Sequence, residues 1–148
     1  MLIDFSMAYF DRCVKLYYDM FTSPEWGFTW LTMEKTRRYF TDMANAPRFK
    51  GYMYMQDGDA AGACFGDISD YFKTAQYYIR EIFVDQSIQG RGVGSRFLAD
   101  IEADLKRCGI DNVILSTSRG IKAFDFYKNN GYIENPETAF LVKFLTNE

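Results

Sequence analysis

The residues of this chain best suited to chemistry lie in a glycine-rich stretch, Gln89-Gly90-Arg91-Gly92-Val93-Gly94-Ser95. The stretch follows an apolar, strand-like run that ends at Val84, and it precedes apolar residues at helical spacing. Glycines leave backbone N–H groups free to close around a phosphate, and a helix N-terminus adds partial positive charge at the same place. The pattern therefore predicts a site for a phosphorylated ligand.

Two common phosphate-binding motifs do not fit this stretch. A P-loop ends in Gly-Lys-Ser/Thr, whereas this turn ends in Gly94-Ser95-Arg96. The dinucleotide fingerprint needs a third glycine three residues after Gly92, where Ser95 stands. The chain is therefore predicted to be neither a P-loop nucleotide hydrolase nor a dinucleotide-binding protein of the usual kind.

The chain contains no histidine, which restricts the acid-base chemistry open to it. Proton transfer must use Glu, Asp, Tyr, Lys or Cys, because Ser-His and Cys-His pairs are absent. The three cysteines, Cys13, Cys64 and Cys108, lack C-x-x-C spacing, so we expect no metal and a reduced, cytoplasmic protein. Cys64 and Cys108 occupy apolar, periodic positions and are expected to pack, not to act as nucleophiles.

Composition bounds the class of protein. The 148 residues, 48% of them hydrophobic, predict a single domain over 1–148, and the 11 tyrosines predict buried hydroxyls that need polar partners. A net charge of -3, with both signs interspersed, argues against nucleic acid as a partner. No apolar run reaches the length of a membrane span, and the N-terminus has no cationic leader, so we expect no membrane partner.

Hydrophobic periodicity outlines the elements around the glycine-rich stretch. A helix is predicted through Phe10 to Phe21 and another after Thr32, followed by a hairpin turn at Asp57-Gly58-Asp59. The later elements are a central strand Ala75–Val84, a helix ended by Gly109, a parallel strand Asn112–Thr117, a helix over Ile121–Asn129, and closing strands through Tyr132 and Ala139–Leu145.

Two motifs resemble those of one superfamily, the Gcn5-related N-acetyltransferases (GNAT). Gln89 to Gly94 is similar to its Gln/Arg-x-x-Gly-x-Gly/Ala signature, and Ala123 to Tyr132 is similar to its A-x-x-F-Y-x-x-x-G-F/Y segment. The resemblance covers nearly the whole chain. It implies an α/β fold with a mixed, mostly antiparallel sheet of six to seven strands, a central splayed parallel pair, and helices on both faces.

The resemblance also implies acetyl-CoA as the acetyl donor. Its pyrophosphate is expected on the amides of Gln89 to Gly94, and its pantetheine arm along Phe83 and Val84. The expected cofactor-binding residues are Phe83, Val84, Gln89, Gly90, Arg91, Gly92, Val93, Gly94, Ser95, Lys122 and Tyr127. Arg91, Arg96, Arg119 and Lys122 are candidates for the adenosine 3′-phosphate, although exposed basic residues are commonly just solvated. Gly120 stands where relatives often carry an asparagine, and it has no side chain to make that pantetheine contact.

Catalytic roles follow from the same resemblance. Glu81 is the candidate base that takes the amine proton, with an ion pair to Arg80 or a lysine as the structural alternative. Tyr127 is the candidate acid that protonates the leaving thiolate, with a core aromatic as its alternative. The backbone N–H of Val84 is the candidate donor to the oxyanion.

The resemblance implies acetyl transfer to a primary amine of a small molecule or peptide, without a covalent enzyme intermediate. The loop Trp26 to Trp30 and the polar run Asp67 to Tyr71 are expected to contact the acceptor, or else to form a hydrophobic plug and a solvated turn. Aminoglycoside-type acceptors, a longer acyl group, an oxygen acceptor, a non-catalytic acyl-CoA sensor and a homodimer all remain open.

Overall fold

A computed structural model describes residues 1–147 of the chain. The chain divides into two compact units, the first spanning Met1–Leu115 and the second beginning at Ser116. Each unit is described by itself below. The single domain over 1–148 therefore stays a prediction.

The first unit is a five-stranded sheet with three helices. Its elements are β1 (Leu2–Asp4), α1 (Phe10–Phe21), α2 (Met33–Ala44), β2 (Phe49–Gln56), β3 (Asp59–Tyr71), β4 (Thr74–Val84), α3 (Val93–Arg107) and β5 (Asn112–Ile114). The strands lie in the order β1-β2-β3-β4-β5, antiparallel except for the parallel pair β4–β5. The mixed, mostly antiparallel sheet with one parallel pair is therefore confirmed.

Local sequence explains most of these boundaries. The Thr32 side chain accepts a hydrogen bond from the Lys35 N–H and caps α2, as predicted. Asp57 and Gly58, at φ 53° and 80°, form the two-residue turn between β2 and β3, which needs left-handed backbone at both positions. β3 is longer than expected, because the polar run Asp67 to Tyr71 pairs with β4 instead of forming a loop.

The helices pack on opposite faces of the sheet, which confirms that prediction. Met53 belongs to the main apolar cluster with residues of α1 and α2. Its neighbour Tyr52 points to the other face, where its hydroxyl donates to Asp104 of α3 at 2.7 Å. Successive strand residues point to opposite faces, so α1 and α2 cover one face and α3 covers the other.

The parallel strands β4 and β5 pair over only three residues. The pairing ends at Tyr78 opposite Ile114, whereas β4 continues to Val84. β5 also ends three residues before Thr117, where the prediction placed its end. Within the first unit, no described strand pairs with Ile79 to Val84 on this side. β5 is the edge strand of the described sheet, so the expectation of a central parallel pair is wrong.

Helix α3 confirms its predicted apolar stripe, since Phe97, Leu98, Ile101 and Leu105 are all buried. Gly109 follows its last turn in the left-handed conformation, at φ 82°. The expectation for Cys108 is wrong, because this residue lies exposed at the helix end, whereas Cys64 is fully buried. Cys108 follows the last residue of α3, and at that position the chain no longer faces the core.

The second unit contains one helix, α4 (Lys122–Asn129), close to its predicted bounds. The predicted closing strands are wrong, because no described residue after Ser116 lies in a strand. Ala139 to Leu145 is apolar enough for a strand, but a strand forms only when a neighbour supplies hydrogen bonds. The sheet thus has five strands, not six to seven. None of the helices described over residues 1–147 is long and apolar enough to cross a bilayer.

Candidate active site

The carboxylate of Glu81 lies between two tyrosine hydroxyls. Tyr39 of α2 donates to its Oε1 atom at 2.8 Å, and Tyr17 of α1 donates to the same atom at 3.3 Å. The second oxygen, Oε2, is the atom that these hydroxyls do not engage. Both helices therefore serve to hold one carboxylate on the central strand.

A β-bulge at Arg80 sets the direction in which Glu81 points. Phe65 of β3 lies opposite Glu81, while the next residue, Gly66, lies opposite Ile79, so Arg80 is one extra residue in β4. Strict alternation would place Glu81 on the same face as Ile79, toward α3. The bulge turns it to the face of Phe65, where α1 and α2 supply the tyrosines.

Burial among these rings raises the pKa of Glu81, and the hydroxyls of Tyr39 and Tyr17 act in the opposite direction. The burial effect is larger because water is replaced by aromatic surface. Arg80 does not pair with Glu81. Its Nε lies 2.8 Å from Asp67 Oδ2, and its guanidinium stacks over the Tyr78 ring at 3.8 Å. The alternative of an Arg80–Glu81 ion pair is therefore wrong.

Phe83 and Val84, the two predicted cofactor-binding residues on β4, differ in where their backbone groups point. The Phe83 ring packs in the core against Tyr17 at 5.3 Å, and its carbonyl faces β3 beside Gly62. The N–H of Asp85 donates to Ala61 of β3 at 2.7 Å. Backbone groups of successive strand residues point to opposite edges, so the Val84 N–H points away from β3, toward the edge that β5 leaves uncovered.

The glycine turn adopts a backbone that other residues resist. Gly90 and Gly92 have φ of 80° and 75°, in the left-handed region. A Cβ at Gly90 would meet nothing within 4 Å, and one at Gly92 would meet only the Arg96 guanidinium at 3.7 Å. Packing does not require these glycines, so their function is to shape the turn and to leave the space beside it open.

The N-terminus of α3 begins at this turn and has no side-chain cap. Gly92 is its N-cap, and the first turn contains no acidic residue. Its first N–H groups lack partners within the helix, as at every helix start. Val93 is buried and so offers only its amide, while Arg96 places a guanidinium 3.4 Å from the Arg91 carbonyl. This end of the helix is suited to an anion.

Gln89 holds the turn against the end of β4. Its side-chain Nε2 donates to the Val84 carbonyl at 2.9 Å and lies 3.9 Å from the sulfur of Met20. Its own N–H donates to the Gln86 carbonyl at 3.3 Å, so both the side chain and the amide of Gln89 are engaged in positioning the turn. Gly94 and Ser95 lie in the first turn of α3, partly buried.

Two predicted residues, Lys122 and Tyr127, lie in the second unit. Lys122 is exposed at the first position of α4. The Tyr127 ring is partly buried and contacts the rings of Phe126 at 5.3 Å and Tyr132 at 5.5 Å. Arg119, another candidate for the 3′-phosphate, forms an ion pair with Glu134.

Tyr17 and Tyr39 are the site residues that the sequence did not identify. Both lie on helices that the apolar periodicity predicts, where an aromatic residue is expected to pack in the core. The only signal was the general expectation that buried tyrosine hydroxyls need polar partners. The buried cysteines Cys13 and Cys64 offer no rival site, since burial raises the pKa of each thiol to about 12.

The fold and the site together define a class. An open glycine turn, an uncapped helix start and a partly buried carboxylate on the strand leading to them suit a phosphorylated ligand beside a proton acceptor. Residues 11–132 match the model of the Acetyltransferase (GNAT) family. The chain belongs to this family, whose members are acetyltransferases that use acetyl-CoA.

Solved structures share the fold. A possible acetyltransferase from Clostridium difficile 630 has a TM-score of 0.79 at 16% identity, over 99% of this chain and 98% of that one. A GNAT family acetyltransferase from Staphylococcus aureus subsp. aureus USA300_TCH1516 has a TM-score of 0.71 at 17% identity, over 98% of both chains. AAC(6')-Iy, in complex with the bisubstrate analogue CoA-S-monomethyl-acetylneamine, has a TM-score of 0.72 at 17% identity, over 97% of both chains. No curated protein matches the chain.

Proposed function

We propose that this chain transfers an acetyl group from acetyl-CoA to a primary amine of a small molecule or peptide, by direct attack within a ternary complex. The observation that carries the proposal is the Glu81 carboxylate, held by two tyrosine hydroxyls three residues before the end of β4. At about 3.3 Å per residue, Glu81 lies roughly 10 Å along the strand from the end of β4, after which the chain leads into the glycine turn.

The glycine turn fits the donor's pyrophosphate. The space beside Gly90 and Gly92, which a Cβ would enter, is where phosphate oxygens accept from the amides of Gly90 to Gly94, next to the Ser95 hydroxyl. Lys122 is a further candidate for a phosphate contact. When bound, acetyl-CoA supplies an acetyl group activated as a thioester, with a thiolate as the leaving group.

Glu81 acts as the base in this proposal. A primary amine is protonated at neutral pH and must lose a proton before its nitrogen attacks the thioester carbonyl. A raised pKa makes the Glu81 carboxylate a stronger base than an exposed glutamate, and its Oε2 atom accepts the proton directly or through a water molecule. As the N–C bond forms and the C–S bond breaks, the Val84 N–H donates to the carbonyl oxygen.

Tyr127 completes the balance of protons. Its phenol gives a proton to the departing sulfur, and the second proton, which the attacking nitrogen loses on becoming an amide, returns to the phenolate directly or through water. The first amine proton passes from Glu81 to solvent, so the products are the N-acetylated amine, coenzyme A with its thiol, and one proton. No covalent bond to the enzyme forms at any stage. The role of Tyr127 rests on its place in the family's second motif.

The test is a thiol-release screen with acetyl-CoA against amines, polyamines, amino sugars and peptides, followed by Glu81→Gln on the best acceptor. We expect kcat/KM to fall about 10²- to 10⁴-fold, while coenzyme A affinity stays within about two-fold. Glu34→Gln, at an exposed position in the first turn of α2, is the matched control and should behave as wild type. Undiminished turnover by Glu81→Gln would remove Glu81 as the base, and absence of coenzyme A binding at millimolar ligand would remove the whole proposal.

A further inference from the structure

The connection between α1 and α2 carries aromatic rings in mutual contact. Phe21, Trp26, Phe28 and Trp30 are called the aromatic array here. Phe21 stacks on Phe28, and Phe28 stacks on Trp30, each at 5.4 Å between ring centroids, while Trp26 lies 4.8 Å from Phe21. The array is a continuous strip of ring surface.

Main-chain hydrogen bonds hold the array in one shape. The Gly27 N–H donates to Ser23 at 2.7 Å, and the Phe28 N–H donates to Phe21 at 2.9 Å. Gly27 has φ of 64°, which allows the tight turn between the two tryptophans. The array is therefore preformed, which lowers the cost of ordering it around a ligand.

The tryptophans face solvent. Trp30 keeps 64% and Trp26 keeps 37% of its surface exposed. A hydrophobic plug would bury both rings. Large exposed rings that cluster on one ordered loop are typical of a binding surface, because exposing apolar area to water is unfavourable without such a role.

The array connects to the proposed base. The Phe21 ring lies 4.4 Å from the ring of Tyr17, whose hydroxyl donates to Glu81. The Gln86 side chain, just after β4, donates to Glu25 at 3.1 Å and so ties the loop to the strand that carries Glu81. Phe21 and Gln86 therefore join the array to the elements that hold the Glu81 carboxylate.

Resting on the proposed acetyl transfer, we infer that the acceptor is an arylalkylamine, a primary amine joined by a short chain to an aromatic ring. Its ring packs on Trp26 and Trp30, while its amine reaches Glu81. The Glu25 carboxylate and the ring faces both favour a cation on the way in. An amino sugar such as neamine, or a linear polyamine, has no aromatic ring to stack on this surface, so we expect the array to bind it more weakly.

The chain's own fluorescence allows a direct test, because its two tryptophans are Trp26 and Trp30. Phenethylamine absorbs little where tryptophan emits, so titration with it reports binding at the array. We expect a saturable change in emission with phenethylamine and none with butylamine, which carries the same charge but no ring. In turnover, phenethylamine should show a kcat/KM at least ten-fold above those of butylamine, spermidine and neamine.

Trp30→Ala should raise the KM for phenethylamine about ten-fold and leave the KM for butylamine within about two-fold. Phe72→Ala removes an exposed aromatic ring outside the array, 91% accessible at the β3–β4 turn, and should change neither value. Equal KM values for Trp30→Ala and wild type with phenethylamine would overturn the inference, even if acetyl transfer proceeds. Saturable phenethylamine binding without any acetyl transfer would instead support the array and overturn the proposed function.

Discussion

Replacing Gly92 by alanine separates the backbone shape of the glycine turn from the pyrophosphate binding that we propose for it. Gly92 has φ of 75°, where an L side chain costs about 1–2 kcal/mol. The added Cβ meets only the flexible Arg96 guanidinium, at 3.7 Å, so no packing clash adds to this cost. The methyl group does, however, enter the space proposed for the donor's pyrophosphate.

Gly109 is the matched control because it shares the backbone but not the site. It has φ of 82° after the other end of α3, and a Cβ there would meet nothing within 4 Å. Gly109→Ala and Gly92→Ala should therefore lose similar stability, about 1–2 kcal/mol each. Only Gly92→Ala should lose coenzyme A affinity. A hydrogen bond from an amide to a charged phosphate contributes about 1.5–3 kcal/mol, so losing one predicts a drop of about ten- to hundred-fold.

Thermal unfolding measures the stability cost, and calorimetric titration with coenzyme A measures the affinity. Melting temperatures that fall by similar amounts in both variants, with affinity lost in only one, would match the reasoning. If both variants bind coenzyme A as wild type does, the pyrophosphate does not lie on this turn. If both lose affinity equally, the loss comes from α3 as a whole and not from the glycine turn.

Two further substitutions test the acid-base roles. Tyr39→Phe removes a hydroxyl that lowers the pKa of Glu81, so that pKa should rise and the acidic limb of the kcat/KM profile should move to higher pH. We expect kcat/KM to be about ten-fold lower than that of wild type at pH values below the limb and equal to it above the limb. An unmoved limb would exclude Glu81 as the titrating base. Tyr127→Phe should lower kcat about 10²-fold with coenzyme A affinity unchanged by calorimetry, and wild-type kcat in this variant would exclude Tyr127 as the acid.

Burial of Glu81 should make the folded protein less stable as pH rises. Because burial raises the pKa of Glu81 above its value in the unfolded chain, its contribution to stability is fully present below the unfolded pKa. That contribution is lost as pH rises through the folded pKa, since ionising a buried carboxylate is unfavourable. Tyr39→Phe, which removes a partner of the ionised form, should deepen this loss.

The conformation of the glycine turn followed from sequence, and the reason is local. Only glycine enters the left-handed region without strain, so Gly90 and Gly92 predict this turn from the local sequence alone. Helix caps such as Thr32 and the Asp57-Gly58 turn are likewise decided by a few neighbouring residues. These features depend on short-range sterics and hydrogen bonds, which the sequence states directly.

Pairing between distant strands decided what the sequence left open. The extra residue at Arg80 exists only relative to β3, yet it determines which face Glu81 points to. The meeting of Tyr17 and Tyr39 on one carboxylate oxygen likewise requires α1, α2 and β4 to pack together. The apolar pattern of Ala139 to Leu145 predicted a strand, but no neighbouring strand pairs with it among the described residues. Hydrogen-bonding partners far apart in sequence belong to the tertiary structure, and no local pattern encodes them.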